Sequence, residues 1–506
     1  MNENILKLDT AIIGGGITGL YACLKLREMK GADHTIALFE MSDRFGGRIE
    51  TVEMDGFLAE YGPMRFERYG QPLLMQLIRD LCLEICHFPP YTPATDRDSL
   101  FNLHEDESLP SQEKFNTQPF NMLELLSLGI LRILQISGGD LNNPRDQRHW
   151  DWWAGLDNDF YRHMRTSMTF RGEPLYKPGF WNVLSKVLSQ KALNKIIHCG
   201  TFYHFIHENP SAAEWIIFWL RGLHPGDKLV GIKQGTEALI TELVEKLSSL
   251  QPKPVPLYLN HCLTSIHQNE NNHILLELKT NRGKTVKVLA RHAVLALHQS
   301  SLKKLSPFFP VPIGQCIDSV IPIPLFKCFF VTKSPWWDEN TSPQTRAYSV
   351  PTRELHYYYR VSGRDKRGMV MVYGDRPSIN FWKTFAQNAC HTKAELNQDT
   401  RLLDHYLKYL SSNPDTDDHT EKESQIKAIT SFGIRDWSRE PFGAGAHIWK
   451  PGVKIEEVIE KLSGFSLSGS SSAPKNIHIC GEAYSDYQGF IEGGLRTAQT
   501  VVNHIE

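Results

Sequence analysis

A strand signal at about residues 6–13 runs into Gly14-Gly15-Gly16-Ile17-Thr18-Gly19, and a helical segment follows from Leu20 to Lys30. A second strand, Thr35-Ile36-Ala37-Leu38-Phe39, ends at Glu40. A G-x-G-x-x-G run with a strand before it, a helix after it and an acid closing the second strand is the start of a βαβ dinucleotide fold. Gly14 permits the tight turn, Gly16 lets the backbone approach a pyrophosphate, and Gly19 lets helix and strand pack closely. The helix start, with Ile17 and Thr18, turns free N–H groups and a positive dipole end toward the phosphates. Glu40 can accept both hydroxyls of an adenosine ribose and would repel a 2′-phosphate.

A second cluster follows at once. Gly46-Gly47-Arg48-Ile49-Glu50-Thr51 reads as a further phosphate-approach loop behind that fold. Glu60-Tyr61-Gly62-Pro63-Met64-Arg65 then sets an arginine at the end of a Gly-Pro turn, where the ring of the cofactor should lie. A guanidinium there offers a planar fork of donors matched to a carboxylate. Its bland alternative is an ion pair with Glu60 or Glu67.

The rest of the chain narrows the class. At 506 residues two or three domains are expected. A net charge of −2 without a long single-sign run gives no reason to expect nucleic acid or an anionic membrane surface as partner. The nine cysteines form no CxxC pair and no metal-ligand spacing, so reduced thiols, a cytosolic location and no metal are expected. The longest apolar run, Met122 to Ile136, is interrupted by Glu124 and Arg132. A membrane span needs roughly 20 mostly apolar residues, so a buried helix is expected there.

From about 111 to 227 the pattern is helical, with Leu, Trp and Phe three to four apart; α/β character returns between about 228 and 300. A helix is expected from Gly235 through Leu250, then strands at Leu257 to Leu263, His273–Leu278 and Val286–Leu297. Residues 320–332 and 355–373 carry the β-branched and aromatic residues of a mostly antiparallel sheet. Ser411 to Glu423 and Ser463 to Lys475 read as loops. Near the end, Asn476-Ile477-His478-Ile479-Cys480-Gly481-Glu482 is a buried strand closing on an acid, followed by a helix from about Gly489 to His504. The chain is thus expected to return to the fold with which it begins, a habit of flavoproteins with two glycine clusters rather than of simple nicotinamide dehydrogenases.

With these residues in view, the chain resembles the flavin amine oxidase family, nearer its L-amino-acid oxidase branch. Gly481-Glu482-Ala483-Tyr484-Ser485-Asp486-Tyr487-Gln488-Gly489-Phe490-Ile491-Glu492-Gly493-Gly494-Leu495 is similar to bacterial amino-acid oxidases and 2-monooxygenases acting on lysine or tryptophan. The resemblance implies an α/β fold: a discontinuous, two-glycine-cluster FAD-binding Rossmann-type domain, a mixed-sheet substrate domain and an inserted helical region. The FAD-binding domain would take residues 1–66, 228–302 and 435–506; the substrate domain 67–110 and 303–434; the helical region 111–227.

The resemblance also assigns roles. Gly14, Gly16, Gly19 and Glu40 match the ADP-binding positions, and Gly47 and Arg48 the second loop. Gly62, Pro63, Met64 and Arg65 match the turn beside the flavin, Leu263 the backbone group that meets the adenine, and Glu482 the acid near the ribityl and pyrophosphate portion. Ile491 matches the residue whose amide faces the pyrimidine end of the flavin, where a helix N-terminus would stabilise negative charge. Arg65 matches the carboxylate clamp of L-amino-acid oxidases, and Tyr357 the tyrosine that shares the carboxylate. Within Tyr357-Tyr358-Tyr359 that register is open by one residue, and alternate tyrosines on a strand face opposite sides. Lys327, as catalytic residue, matches the lysine that holds a water against flavin N5; in so apolar a stretch an amine costs several kcal/mol without a partner. Phe490 stands where relatives often carry Trp, and Trp449 is either its partner in an aromatic wall or core. His204 and His207 carry no assigned role. Asp151, Trp152, Trp153, Tyr203 and Trp215 are candidates for a side-chain pocket or for helical core.

The implied reaction is hydride transfer from an L-amino acid to FAD, giving an imino acid, then a 2-oxo acid and ammonia, with dioxygen reduced to hydrogen peroxide. The rivals are an amide-forming 2-monooxygenase, a polyamine or monoamine oxidase, and a non-catalytic FAD-binding scaffold. Relatives are often dimers or higher, so a homo-oligomer, most simply a dimer, is expected.

Overall fold

The computed structural model describes residues 5–88, 100–102, 118–135, 144–200, 207–222, 229–341, 344–345, 354–363, 365–374, 378–383, 408, 410, 418–469 and 472–505. Strands Leu6–Ile13, Ile36–Phe39 and Leu257–Tyr258 lie side by side in parallel, with Leu6–Ile13 paired on its other edge to the long strand Thr285–Leu295. The far edge of Thr285–Leu295 is shared. Its last residues pair in parallel with Ile477–Ile479, and its earlier part is antiparallel to Ile274–Thr280, which continues into His261–Gln268. The ends of these strands, Ala11-Ile12-Ile13, Ile36-Ala37-Leu38-Phe39 and Ala293-Val294-Leu295, are apolar and buried throughout, since strand segments covered on both faces have no place for polar alternation. Helices Ile17–Lys30 and Ile491–His504, one from each end of the chain, share one core cluster there.

The expected strand over Leu257 to Leu263 is two strands, broken where Asn260 takes a φ of +60°. The helix expected from Gly235 begins at Ala238 and ends at Ser249. The loop expected as far as Glu423 ends sooner: Asp418 accepts from the amides of Thr420 and Glu421 and caps a helix over His419–Ala428. An N-cap aspartate followed by an acid in the first turn is a start signal, obscured here by the charge of the segment.

A second sheet, antiparallel throughout, runs in the order Gln344–Thr345, Glu354–Ser362, Asp365–Gly374, Phe326–Thr332, Ile429–Asp436. Directly opposed residues of an antiparallel sheet share a face. The register therefore lines up Glu354, Tyr373, Lys327 and Arg435 as one row across four strands.

Helices between Met122 and Gly222 bury their own core, which includes Trp153, Trp215 and Trp219. Met122–Leu134 is the buried helix expected from its apolar run, started by a reciprocal cap between Asn121 and Glu124. No described helix is long and apolar enough to cross a membrane.

Candidate active site

One large cavity runs from the first glycine loop to the second sheet, about 1580 Å³ with its open mouth included. Its walls include Gly14, Gly16, Ile17, Thr18, Glu40, Gly47, Arg48, Gly62, Pro63, Met64, Arg65, Lys327, Glu482, Phe490 and Ile491, so distant segments of the sequence meet around one space.

Backbone contact between the glycine loops explains their composition. Gly46 bonds to Gly15 through its amide (2.9 Å), and a Cβ on Gly62 would stand 2.0 Å from the Arg48 carbonyl oxygen. Gly14, at φ +108°, would place a Cβ 2.4 Å from the Ala296 carbonyl oxygen. Gly16 is different: a Cβ there meets no protein atom within 4 Å, on a residue that lines the cavity. The space in front of Gly16 is ligand space. Arg44 ties the second loop from behind, donating to the carbonyls of Ile49 (3.0 Å) and Gly47 (2.6 Å).

Glu40 accepts from the Gly15 amide at 2.7 Å and from the Ser42 amide and hydroxyl at 2.9 and 2.7 Å, which fixes its carboxylate at one end of the cavity. At the middle, Glu482 gathers Arg48 (3.0 Å), the His447 amide and ring nitrogen (3.0 and 3.2 Å) and the Gly489 amide (2.8 Å). Burial pushes the Glu482 pKa up, but Arg48, His447 and the Gly489 amide outweigh it and hold the carboxyl at about 2. Ile491 opens the helix Ile491–His504, so the amide end of that helix borders the cavity.

At the far end the turn carrying Arg65 is held carbonyl by carbonyl. Lys327 donates to the oxygens of Glu60 (2.8 Å) and Gly62 (2.5 Å), Trp437 to Tyr61 (2.7 Å), and the Thr236 hydroxyl to Pro63 (2.9 Å). Lys327 is 3% exposed and sits 5.0 Å from the Tyr373 ring. Burial lowers its pKa, Arg65 adds to the fall, and Glu60 and Glu354 oppose it; Glu60 itself is raised by burial. With two donors spent on carbonyls, the amine retains at most one for the cavity.

Arg65 lines the cavity at 10% side-chain exposure, and the carboxylate beside it is Glu354, with Nη1 3.8 Å from Oε1. Neither carboxylate considered in the sequence takes that place. Glu60 accepts from Thr51 and the Thr236 amide, and Glu67 from Tyr487.

Two expectations need correction. Tyr357 packs against Trp336 and Trp337 on the opposite face of the second sheet from Lys327, because strand alternation assigns Glu354, His356 and Tyr358 to the cavity side. The tyrosines that line the cavity include Tyr61 and Tyr373; the sequence left Tyr373 unmarked, and its signal was the register opposite Lys327. Trp449 does not line the large cavity. It is buried, bonds through its indole N–H to the Ser485 carbonyl (3.0 Å), and borders a smaller cavity with Trp215 and Phe218. Phe490 belongs to both cavities. The Leu263 side chain packs against the core of the central sheet, which leaves only its backbone for the expected role; Met41 and Ser42 line the Glu40 end of the cavity. Gly19 does not line the cavity and has the packing role expected of it, its missing side chain making room for the Gly14 carbonyl 2.0 Å from where a Cβ would be.

Of the helical candidates, Trp153 is core, Asp151 and Trp152 do not line the large cavity, and His207 is exposed; Tyr203 and His204 lie outside the described residues. His298, which the sequence did not mark, lines the cavity, and burial together with Arg48 and His447 lowers its pKa to about 3, so it is neutral.

The residues present fit a flavin adenine dinucleotide: two glycine loops for the pyrophosphate, open space before Gly16, an anchored acid for the ribose and a helix start at the other end. Known proteins agree. Residues 17–505 match the model of the flavin containing amine oxidoreductases. The chain is 22% identical to Aplysianin-A of Aplysia kurodai, over 98% of this chain and 89% of that protein. It is 21% identical to an L-amino-acid oxidase of Sistrurus catenatus edwardsii, over 98% and 86%. Wild-type putrescine oxidase bound to putrescine shares the fold, with a TM-score of 0.64 at 16% identity, covering 99% of both chains. A match over nearly the whole length establishes that the chain belongs to the flavin-containing amine oxidoreductases and is an FAD-dependent oxidoreductase.

Proposed function

We propose that the protein is an L-amino-acid oxidase, which releases a 2-oxo acid, ammonia and hydrogen peroxide. The central sheet with its glycine loops is the FAD-binding domain in this reading, the second sheet the floor of the substrate site, and the helical region its cover. Bound FAD supplies the hydride acceptor and the centre that reacts with dioxygen.

The observation that carries the reading is Arg65, a nearly buried guanidinium on the cavity wall beside Lys327 and Tyr373. It binds the substrate carboxylate through a planar fork, which fixes the direction of the Cα–H bond. Tyr373 offers a hydroxyl to the same group. Leu325, Trp437, Phe442 and Phe490 give the walls an apolar surface that excludes water from the reacting carbon. Lys327 holds the turn and turns its remaining donor to a water or to dioxygen. Similarity to the Sistrurus oxidase supports an amino acid as substrate. The eight described cysteines are all free, which supports a cytosolic location.

A second reading, oxidation of an amine without a carboxylate, draws on Glu354: a guanidinium already facing a buried carboxylate does not need one from the substrate. The amide-forming outcome differs only in products. Mixing the FAD-loaded protein, without oxygen, with each of the twenty L-amino acids tests the proposal. Bleaching of the flavin band is the expected result, with peroxide and ammonia formed in air; amide and carbon dioxide would replace it by the monooxygenase.

A further inference from the structure

The strand Glu354–Ser362 turns Glu354 and His356 toward Arg65, and together they make a small buried cluster that the reaction scheme leaves unused. Glu354 Oε1 lies 2.8 Å from His356 Nε2 and 3.8 Å from Arg65 Nη1. The first distance is a hydrogen bond; the second is an ion pair about 1 Å too long to be one. Glu354 Oε2 is buried with no hydrogen-bond partner among the described residues. The His356 ring is braced in turn by Phe88, 6.2 Å between centroids, and the Arg65 guanidinium lies 6.0 Å from the same Phe88 ring.

A buried carboxylate with an unbonded oxygen, so near a guanidinium, gains most by closing the gap into a charge-assisted pair. What opposes that movement is the bond to His356. Nε2–H donates to the carboxylate, which can only accept, while burial lowers the pKa of the ring and Glu354 opposes the fall.

We infer that Glu354 is an internal competitor for Arg65, and that His356 holds it back so that Arg65 stays available to a carboxylate in the cavity. The pair would set how tightly the site takes carboxylate ligands. Glu354 weakens such binding by compensating the guanidinium charge, whereas His356 strengthens it by preventing the full internal ion pair. Both are positioning residues that act through Arg65. The inference rests on the reading of Arg65 as a carboxylate clamp.

The two roles have opposite signs, which damage to the fold would not produce. The probe is benzoate, titrated into the FAD-loaded protein and followed by the shift of the flavin absorption band. Glu354→Gln keeps the shape and an acceptor for His356 but removes the charge; it should bind benzoate about three- to tenfold more tightly. His356→Leu frees Glu354 and should bind about tenfold more weakly, while His356→Asn, which retains a donor, should recover part of the loss. In the double variant Glu354→Gln/His356→Leu the weakening should vanish, because the competitor has lost its charge. Should His356→Leu fail to hold flavin, His356→Asn alone and with Glu354→Gln gives the same comparison. Benzoate affinity unchanged in Glu354→Gln, or a His356 effect that persists without the Glu354 charge, overturns the inference. Arg65→Ala separates the two levels: loss of benzoate binding there keeps the clamp whatever the pair does, and unchanged binding removes the clamp and this inference with it.

Discussion

The side-chain nitrogen of Lys327 lies 2.5 Å from the carbonyl oxygen of Gly62. With its second bond to Glu60, the buried lysine grips both sides of Tyr61 in the turn that ends at Arg65. Lys327 thus ties the turn that carries Arg65 to the second sheet.

Replacing Lys327 with Met should therefore act on two half-reactions. Loss of both carbonyl bonds loosens the turn and should raise the KM for the amino acid about three- to tenfold. Loss of the donor should slow reoxidation by dioxygen at least about tenfold. Stopped-flow measurement of flavin reduction and reoxidation separates the two, and a variant equal to wild type in both refutes the dual role.

The glycines of the first loop should divide into two kinds. Gly16→Ala places its methyl in the cavity and touches no protein atom, so thermal stability of the flavin-free protein should change little while FAD affinity falls at least about tenfold. Gly14→Ala forces a positive φ and a clash with the Ala296 carbonyl, and should destabilise the flavin-free protein itself by about 2 kcal/mol or more. Melting curves of both variants with and without FAD make the distinction.

Tyr373→Phe should raise the KM for the amino acid about three- to tenfold, whereas Tyr357→Phe should leave it unchanged. Steady-state kinetics on the two variants compares a tyrosine that lines the cavity with one on the opposite face. The reverse pattern would restore the original register.

These tyrosines show where the sequence was and was not legible. The strand–glycine–helix start, the acid Glu40, the Gly46–Arg48 loop and the return of the chain at Glu482 were readable because each depends on local backbone chemistry at fixed spacing. Lys327 stood out as a lone amine in an apolar strand. Tyr373 and Glu354 did not, since a strand residue acquires its neighbours from pairing register, and three adjacent tyrosines left the register ambiguous by one. Trp449 carries no periodic signal that separates wall from core.

Glu482 should leave a pH signature in stability. Its carboxyl falls from the ordinary 4.5 to about 2 in the folded protein, which corresponds to about 3 kcal/mol favouring the charged form. A lowered pKa gives stability that is present above about 4.5 and is lost as the pH falls toward about 2. Relative to wild type, Glu482→Gln should therefore be less stable near neutrality, with the gap narrowing across that window. Denaturant midpoints of both proteins at a series of pH values check it, and a gap independent of pH would contradict it.

The central claim is that Arg65 selects the carboxylate end of an amino acid. The most direct measurement is anaerobic flavin bleaching by the twenty L-amino acids and by their decarboxylated amines, in wild type and in Arg65→Ala. Rapid bleaching by at least one amino acid, little by its amine, and loss of that preference at unchanged flavin content in Arg65→Ala is the expected result. Bleaching by the amine as fast as by the amino acid, or an Arg65→Ala protein that keeps the preference, would contradict the account.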